Sequence, residues 1–185
     1  DIQFLKARAE YNGYELIFRA DTVYFGPMRL QAAAQDTLLV YAGNASNCLS
    51  LNVRSDGHQP DAVAYDAAAA DGDAVTTATV APDLPLLGTR RADSRDAGLE
   101  PFTWKLSAEP GADSQRLQAL AQMKANALDM QRLQGEGELD GTRYGHVLQV
   151  GLPLPVDGLG AQLSGVYYVD SVSHSFTQQS YRQRF

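Results

Sequence analysis

Between Thr37 and Val80 the chain is a succession of short runs rich in β-branched and aromatic residues. TLLVYAG, CLSLNV, AVAYD and AVTTATV are parted by turn formers such as GNASN and SDGHQPD. A run this short satisfies its backbone and buries its apolar side only by pairing with another, so the pattern predicts a β-barrel or a β-sandwich. No internal repeat is evident, which removes solenoids and propellers.

Two stretches break this texture. At the start, DIQFLKARAEYNGYEL places Ile2, Leu5 and Ala9 at helical spacing, with Asp1 able to cap the helix start and Gly13 able to close its end in the left-handed conformation. YELIF and TVYFG follow, joined by RAD, and read as a β-hairpin; helix plus hairpin is too small to be stable alone and must dock on other structure. Entry into a helix at the first residue leads us to expect a trimmed or fragmentary chain.

The second break runs from Asp113 or Ser114, either of which can cap a helix, to Leu133, where GEGELDG is expected to end it and turn the chain. Leu117, Leu120, Ala121, Lys124, Ala125 and Leu128 follow one side, and the small alanines permit close packing. Ahead of it, the proline-rich segment 81–111 reads as a surface loop or crossing arm with one FTWKL island. After it, HVLQVGLPLP, QLSGVYYVDSVSHSF and YRQRF read as strands joined by Gly-rich turns. The run from Val166 to Phe176 is expected to be one strand leaving a packed environment for a wetter one. The resulting expectation is an α+β, strand-dominated chain with a helix plus β-hairpin module at 1–36 and a barrel domain at 37–185, the helix 114–133 packing outside it.

Charge and chemistry narrow the function. The chain of 185 residues carries 15 Lys and Arg against 22 Asp and Glu, a formal charge of -7, unlike a surface made to neutralise phosphates. No apolar run reaches transmembrane length, so no membrane partner is expected. Cys48, the single cysteine, lies in an alternating apolar run and reads as a packing thiol. Asp170 and His174 share a face of the expected strand but sit four residues apart, roughly 13 Å at strand rise, and there is no GxSxG elbow, so a serine hydrolase is disfavoured. His174 is expected instead to anchor the backbone of a neighbouring strand.

His58, His146 and His174 lack metal-ligand spacing, and Asp71 and Asp73 lack the acidic end of a calcium loop. GEGELDG and GLGAQLSG lack the Lys-Ser/Thr pair of a P-loop and read as hairpin turns. Glu136 and Glu138 would suit a glycosidase only if a cleft faced them. Neither catalytic residue, cofactor nor metal is expected, and binding or assembly becomes the leading class.

Two stretches resemble a known family. DIQFLKARAEYNGYELIFRADTVYFGP is similar to the helix-hairpin signature of the phage late control protein D family, tail hub proteins related to the VgrG-like hub of contractile injection systems. LAQMKANALDMQRLQGEGELDG followed by GLGAQLSGVYYVDSVSHSFTQQSYRQRF is similar to the family's C-terminal half, with Gly165, Tyr167, Val169, Val172, His174, Phe176 and Tyr181 at the matching positions. The segment from about Ala67 to Gly111 and HVLQVGLPLP match poorly, and the family's N-terminal barrel is not among these residues, as expected of a trimmed chain or of a hub whose first half lies outside it.

The resemblance implies a structural role, with no catalytic residues. It implies a tube-type β-barrel and a homotrimeric ring that joins the tail tube protein to the spike protein, with DNA or effector at most passing through the lumen. It further implies a place in the baseplate of a virion tail or injection particle assembled in the bacterial cytoplasm. The alternatives from other classes are a cell-wall hydrolase associated with a tail spike, and a carbohydrate-binding β domain using exposed tyrosines.

Overall fold

A computed structural model describes residues 1–19, 21–68, 75–89, 101–107 and 113–185. Helix α1 spans Ile2–Asn12; the Asp1 carboxylate accepts from the Gln3 N–H at 3.1 Å, and Gly13 ends the helix at φ 64°, as its sequence predicts. Strands β1 (Glu15–Phe18) and β2 (Val23–Gly26) form the expected antiparallel hairpin, with Leu16 opposite Phe25 and Ile17 opposite Tyr24.

The rest of the described chain is organised by two hydrophobic cores. Around the first lie two sheets. One has the order β10-β9-β3, from Gly165–Tyr168, Pro153–Asp157 and Leu38–Leu39; the other has the order β11-β12-β8-β4, from Ser173–Phe176, Tyr181–Arg184, Leu133–Asp140 and Cys48–Ser55. Leu38, Val40, Leu139, Leu154, Val156 and Val169 meet between them, each nearly inaccessible to water, with Tyr144 and Leu148 completing the core. Tyr144 ends the short helix α3 (Gly141–Tyr144), which the Asp140 side chain caps by accepting from the Thr142 and Arg143 N–H groups.

The second core lies between the sheet β6-β5-β7 (Val75–Val80, Ala62–Ala68, Thr103–Lys105) and helix α2 (Ser114–Met130). Asp113 caps α2, accepting from the N–H groups of Gln115 at 2.6 Å and Arg116 at 3.1 Å. Leu117, Ala121 and Ala125 face Val63 and Tyr65; Ala121 is fully buried, and its small side chain lets the helix backbone approach the sheet closely. The α+β, strand-dominated class is thus what the chain adopts. Asp71 and Asp73 lie outside the described residues, as does much of the 81–111 segment.

Two local expectations are corrected. GEGELDG is not a turn: Leu133–Asp140 is a single strand in the interior of its sheet, pairing antiparallel with β4 along most of its length. Gly137 answers to crowding, since a Cβ there would stand 2.5 Å from the Ser50 carbonyl oxygen and 2.8 Å from the Phe185 ring. Helix α2 therefore stops at Met130, short of Leu133, which already belongs to β8.

Nor is VYYVDSVSHSF one strand. Residues 165–168 pair with β9, whereas 173–176 pair with β12 in the other sheet, and the intervening residues carry the chain across with Val169 buried in the core. The change from apolar to polar along this run marks a change of sheet.

Candidate functional site

The polar residues singled out by their chemistry are dispersed, and most of the described ones have a local structural partner. His174 stands on β11, an edge strand with all four residues exposed. Its Nδ1 lies 3.0 Å from the Tyr181 hydroxyl, so it meets a neighbouring side chain, and not the strand backbone expected of it. Its ring lies nearly parallel to those of Phe176 and Tyr181, which stack on each other at 4.4 Å and 3°. Gly141 sits beneath Tyr181 because a side chain there would run into the ring. Asp170, in the crossing segment, shares no strand with His174.

His146 contacts Asp36 at 3.1 Å with both side chains exposed. His58 donates its backbone N–H to Asp56, whose carboxyl is held below the ordinary carboxylate range chiefly by that bond and by a second from Gln59. Cys48 packs against the first core as a half-buried thiol, as its apolar setting suggests, and burial raises its pKa. Glu138 accepts from Arg184 Nε at 2.7 Å and from Arg182, and both bonds lower its pKa. A carboxylate so engaged is a poor proton donor, and Glu136 accepts only a 3.4 Å bond from Asn52. Among the described residues no three His, Cys, Asp or Glu side chains gather where they could hold a metal ion.

Three polar joints tie the elements together; none was singled out by the motif reading. Arg132, buried at the end of α2, donates to the Pro60 carbonyl at 2.6 Å and pairs with Asp61 at 2.8 Å and Asp129 at 3.4 Å. Gln183, fully buried in β12, accepts from the Leu148 N–H at 2.7 Å and donates to the His146 carbonyl at 2.8 Å.

The third joint fixes the helix-hairpin module. The Tyr168 hydroxyl donates to Glu15 at 2.7 Å and accepts from the Arg29 N–H at 2.9 Å, while the Arg29 guanidinium lies over the Tyr24 ring at 4.4 Å. Burial raises the Glu15 pKa despite the Tyr168 bond and Arg29. Gly151 leaves room at the same place for Ile17 and Arg29. The inner hairpin face is thereby seated on the loop before β9.

Two shallow depressions flank the connection from hairpin to core. One, of about 510 Å³, is lined by Met28, Arg29, Leu30, Asp83 and Pro85; the other, of about 280 Å³, by Asp36, Tyr144, His146 and Leu152 among others. In neither do a nucleophile, a base and an orienting carboxylate converge. Exposed apolar side chains recur around the helix-hairpin module: Ile2, Phe4, Leu5 and Tyr11 on different sides of α1, Tyr14 beside it, and Phe18, Val23 and Phe25 on the hairpin.

No family model and no curated relative matches the sequence. Solved structures do share the fold. A 43 kDa tail protein of prophage MuSo2 from Shewanella oneidensis superposes with a TM-score of 0.68 at 12% identity, over 98% of this chain and 52% of that one. The tail protein from Neisseria meningitidis MC58 gives 0.60 at 13% identity, over 98% and 52%. A chain of the virion of a native gene transfer agent particle gives 0.53 at 16% identity, over 97% and 37%. The chain spans about half the length, or less, of these structures. At such identities the likeness is one of fold, and it extends over nearly all of the chain.

Proposed function

We propose that this chain is a structural protein of a phage-type tail, with no enzymatic role. The observation that carries this reading is the fold shared with two tail proteins and a virion chain over 97% or more of its length. The described polar groups support it, since they brace strands and loops and do not converge on a reacting atom.

The finer reading is a baseplate hub of the late control protein D and VgrG-like kind. Residues 1–36 are then a helix-hairpin module, and residues 37–185 a tube-type barrel domain that contributes to a homotrimeric ring. The ring joins the tail tube protein to the spike protein, and the particle's DNA or effector at most passes through its lumen. An acidic chain of net charge -7 suits a wall that lets polyanionic cargo slide. The particle is a virion tail or injection machine assembled in the bacterial cytoplasm.

Co-purification tests it. The full-length protein, expressed with the tube and spike proteins of its own gene cluster, is expected to elute with both and to appear as rings in negative-stain micrographs. Elution apart from both partners, with no rings, overturns the hub assignment.

A further inference from the structure

We infer that the helix-hairpin module is a clasp: seated on both hydrophobic units at once, it fixes the angle between them, and they swing about a narrow neck when either seat is lost. Among the described residues no side chain belongs to both cores, and the two units share no sheet. The described chain crosses between them at 56–61, from β4 to β5, and at 131–132, from α2 to β8. Both crossings leave from one point, where Ser55 pairs with Leu133 and the Asp56 N–H donates to the Arg132 carbonyl at 2.8 Å. Arg132 braces this neck through Pro60 and Asp61. A single ladder end with one polar brace and no shared apolar core resists rotation weakly.

The module reaches both sides of the neck. On the first unit, the Tyr168 hydroxyl holds Glu15 at 2.7 Å, and Ile17 lies against Gly151 where a side chain would collide with it. On the second, Gly13 at the end of α1 lies against Met123, so that a Cβ there would stand 3.0 Å from Met123 Cγ, and the Arg116 guanidinium is 5.9 Å from the centre of the Tyr11 ring. Arg116 and Met123 are about two turns apart and share a side of α2 nearly opposite that of Ala121 and Ala125, so α1 holds α2 from outside its own core. The Tyr14 N–H donates to the Ala9 carbonyl at 2.8 Å, and the Tyr14 ring meets Phe25 edge-on at 5.6 Å, which makes helix and hairpin one piece. Beside it, the depression of about 510 Å³ between residues 28–32 and the pair Asp83 and Pro85 leaves the space between strap and second unit unfilled. With so little packed there, the two seats decide the angle.

The inference does not depend on the tail role, so the two fail separately. Spin labels at Ser50→Cys on β4 and Thr79→Cys on β6, both exposed positions, in a Cys48→Ala background, report the distance between the units by pulsed electron resonance. With both seats intact, one narrow distance peak is expected. Tyr168→Phe removes both bonds of the first seat, and Met123→Glu puts a charge against Gly13 at the second; each is expected to lose the peak to a broad spread, with far-ultraviolet circular dichroism unchanged. Hydrogen exchange ties that loss to the module: in Tyr168→Phe, amides of β1 and β2 are expected to exchange about tenfold faster, as for loss of one hydrogen bond of ordinary strength, while those of β5 and β8 keep their rates. A broad distribution with both seats intact overturns the inference without any seat variant. So does a peak that survives in either folded variant, or a peak lost in Tyr168→Phe while hairpin exchange is unchanged.

Discussion

Replacing Gln183 by methionine and by alanine separates hydrogen bonding from packing at the point where β12 holds the segment before β9. Gln183 is fully buried, accepting from the buried Leu148 N–H and donating to the His146 carbonyl. Methionine has nearly the same volume and flexibility, so Gln183→Met leaves little cavity and removes both bonds. The Leu148 N–H then has no partner, at a cost of about 1 to 3 kcal/mol. Gln183→Ala loses the same bonds and opens a cavity, adding roughly 2 kcal/mol. With a urea dependence of about 2 kcal/mol per molar, the midpoint falls by roughly 0.5 to 1.5 M for methionine and by about a further 1 M for alanine. Equilibrium unfolding followed by circular dichroism reads both shifts. A methionine variant whose midpoint matches that of the unmodified chain would refute the reasoning, because the amide would then contribute no more than its volume.

Glycine spacing in β8 gives a paired test. Gly137→Ala, whose Cβ would crowd the Ser50 carbonyl and the Phe185 ring, is expected to cost about 1 to 3 kcal/mol, whereas Gly135→Ala, with its nearest neighbour at 3.7 Å, is expected to be nearly silent in urea titrations. The two perturbed glutamates predict opposite pH slopes. Glu138 is lowered from the ordinary 4.5, first by Arg184 and then by Arg182, so its contribution is full above that value and is lost as pH falls through the lowered pKa. Glu138→Gln should therefore flatten the acid limb of stability against pH. Glu15 is raised from 4.5 by burial, so its favourable contribution is present below that value and is lost as pH rises through the raised pKa. Glu15→Gln is expected to raise the melting temperature at neutral pH and leave it little changed near pH 4; a loss at neutral pH would show that the ionised carboxylate is wanted there.

Elements whose cause lies within a few residues were legible in the chain. Asp1 and Asp113 cap helices because their carboxylates reach N–H groups two or three residues on, and the hairpin follows from two apolar runs around a short turn. Where long-range packing decides, local signals misled. Two glycines in GEG read as a break, yet the second, Gly137, has no side chain because β8 runs there against Ser50 and Phe185, residues far away in the chain. The polar turn of VYYVDSVSHSF read as one strand changing environment, whereas the chain changes sheets between Tyr168 and Ser173.

The same distinction separates motifs from joints. Motif spacing is a local property, so the expectation of a non-catalytic role rested on the sequence alone. The joints at Arg132, Gln183 and Glu15 span tens to more than a hundred positions and leave no periodic trace, except that Gln183 sits between Tyr181 and Phe185 on the inward alternation of β12. A buried glutamine at a position where the pattern calls for an apolar residue signals a backbone that has no strand partner and must be satisfied by a side chain. Leu148, in the segment that precedes β9, is that backbone. The polar exceptions to the strand pattern thus mark where irregular chain is fastened to the sheet, and they are the residues whose removal should loosen that attachment.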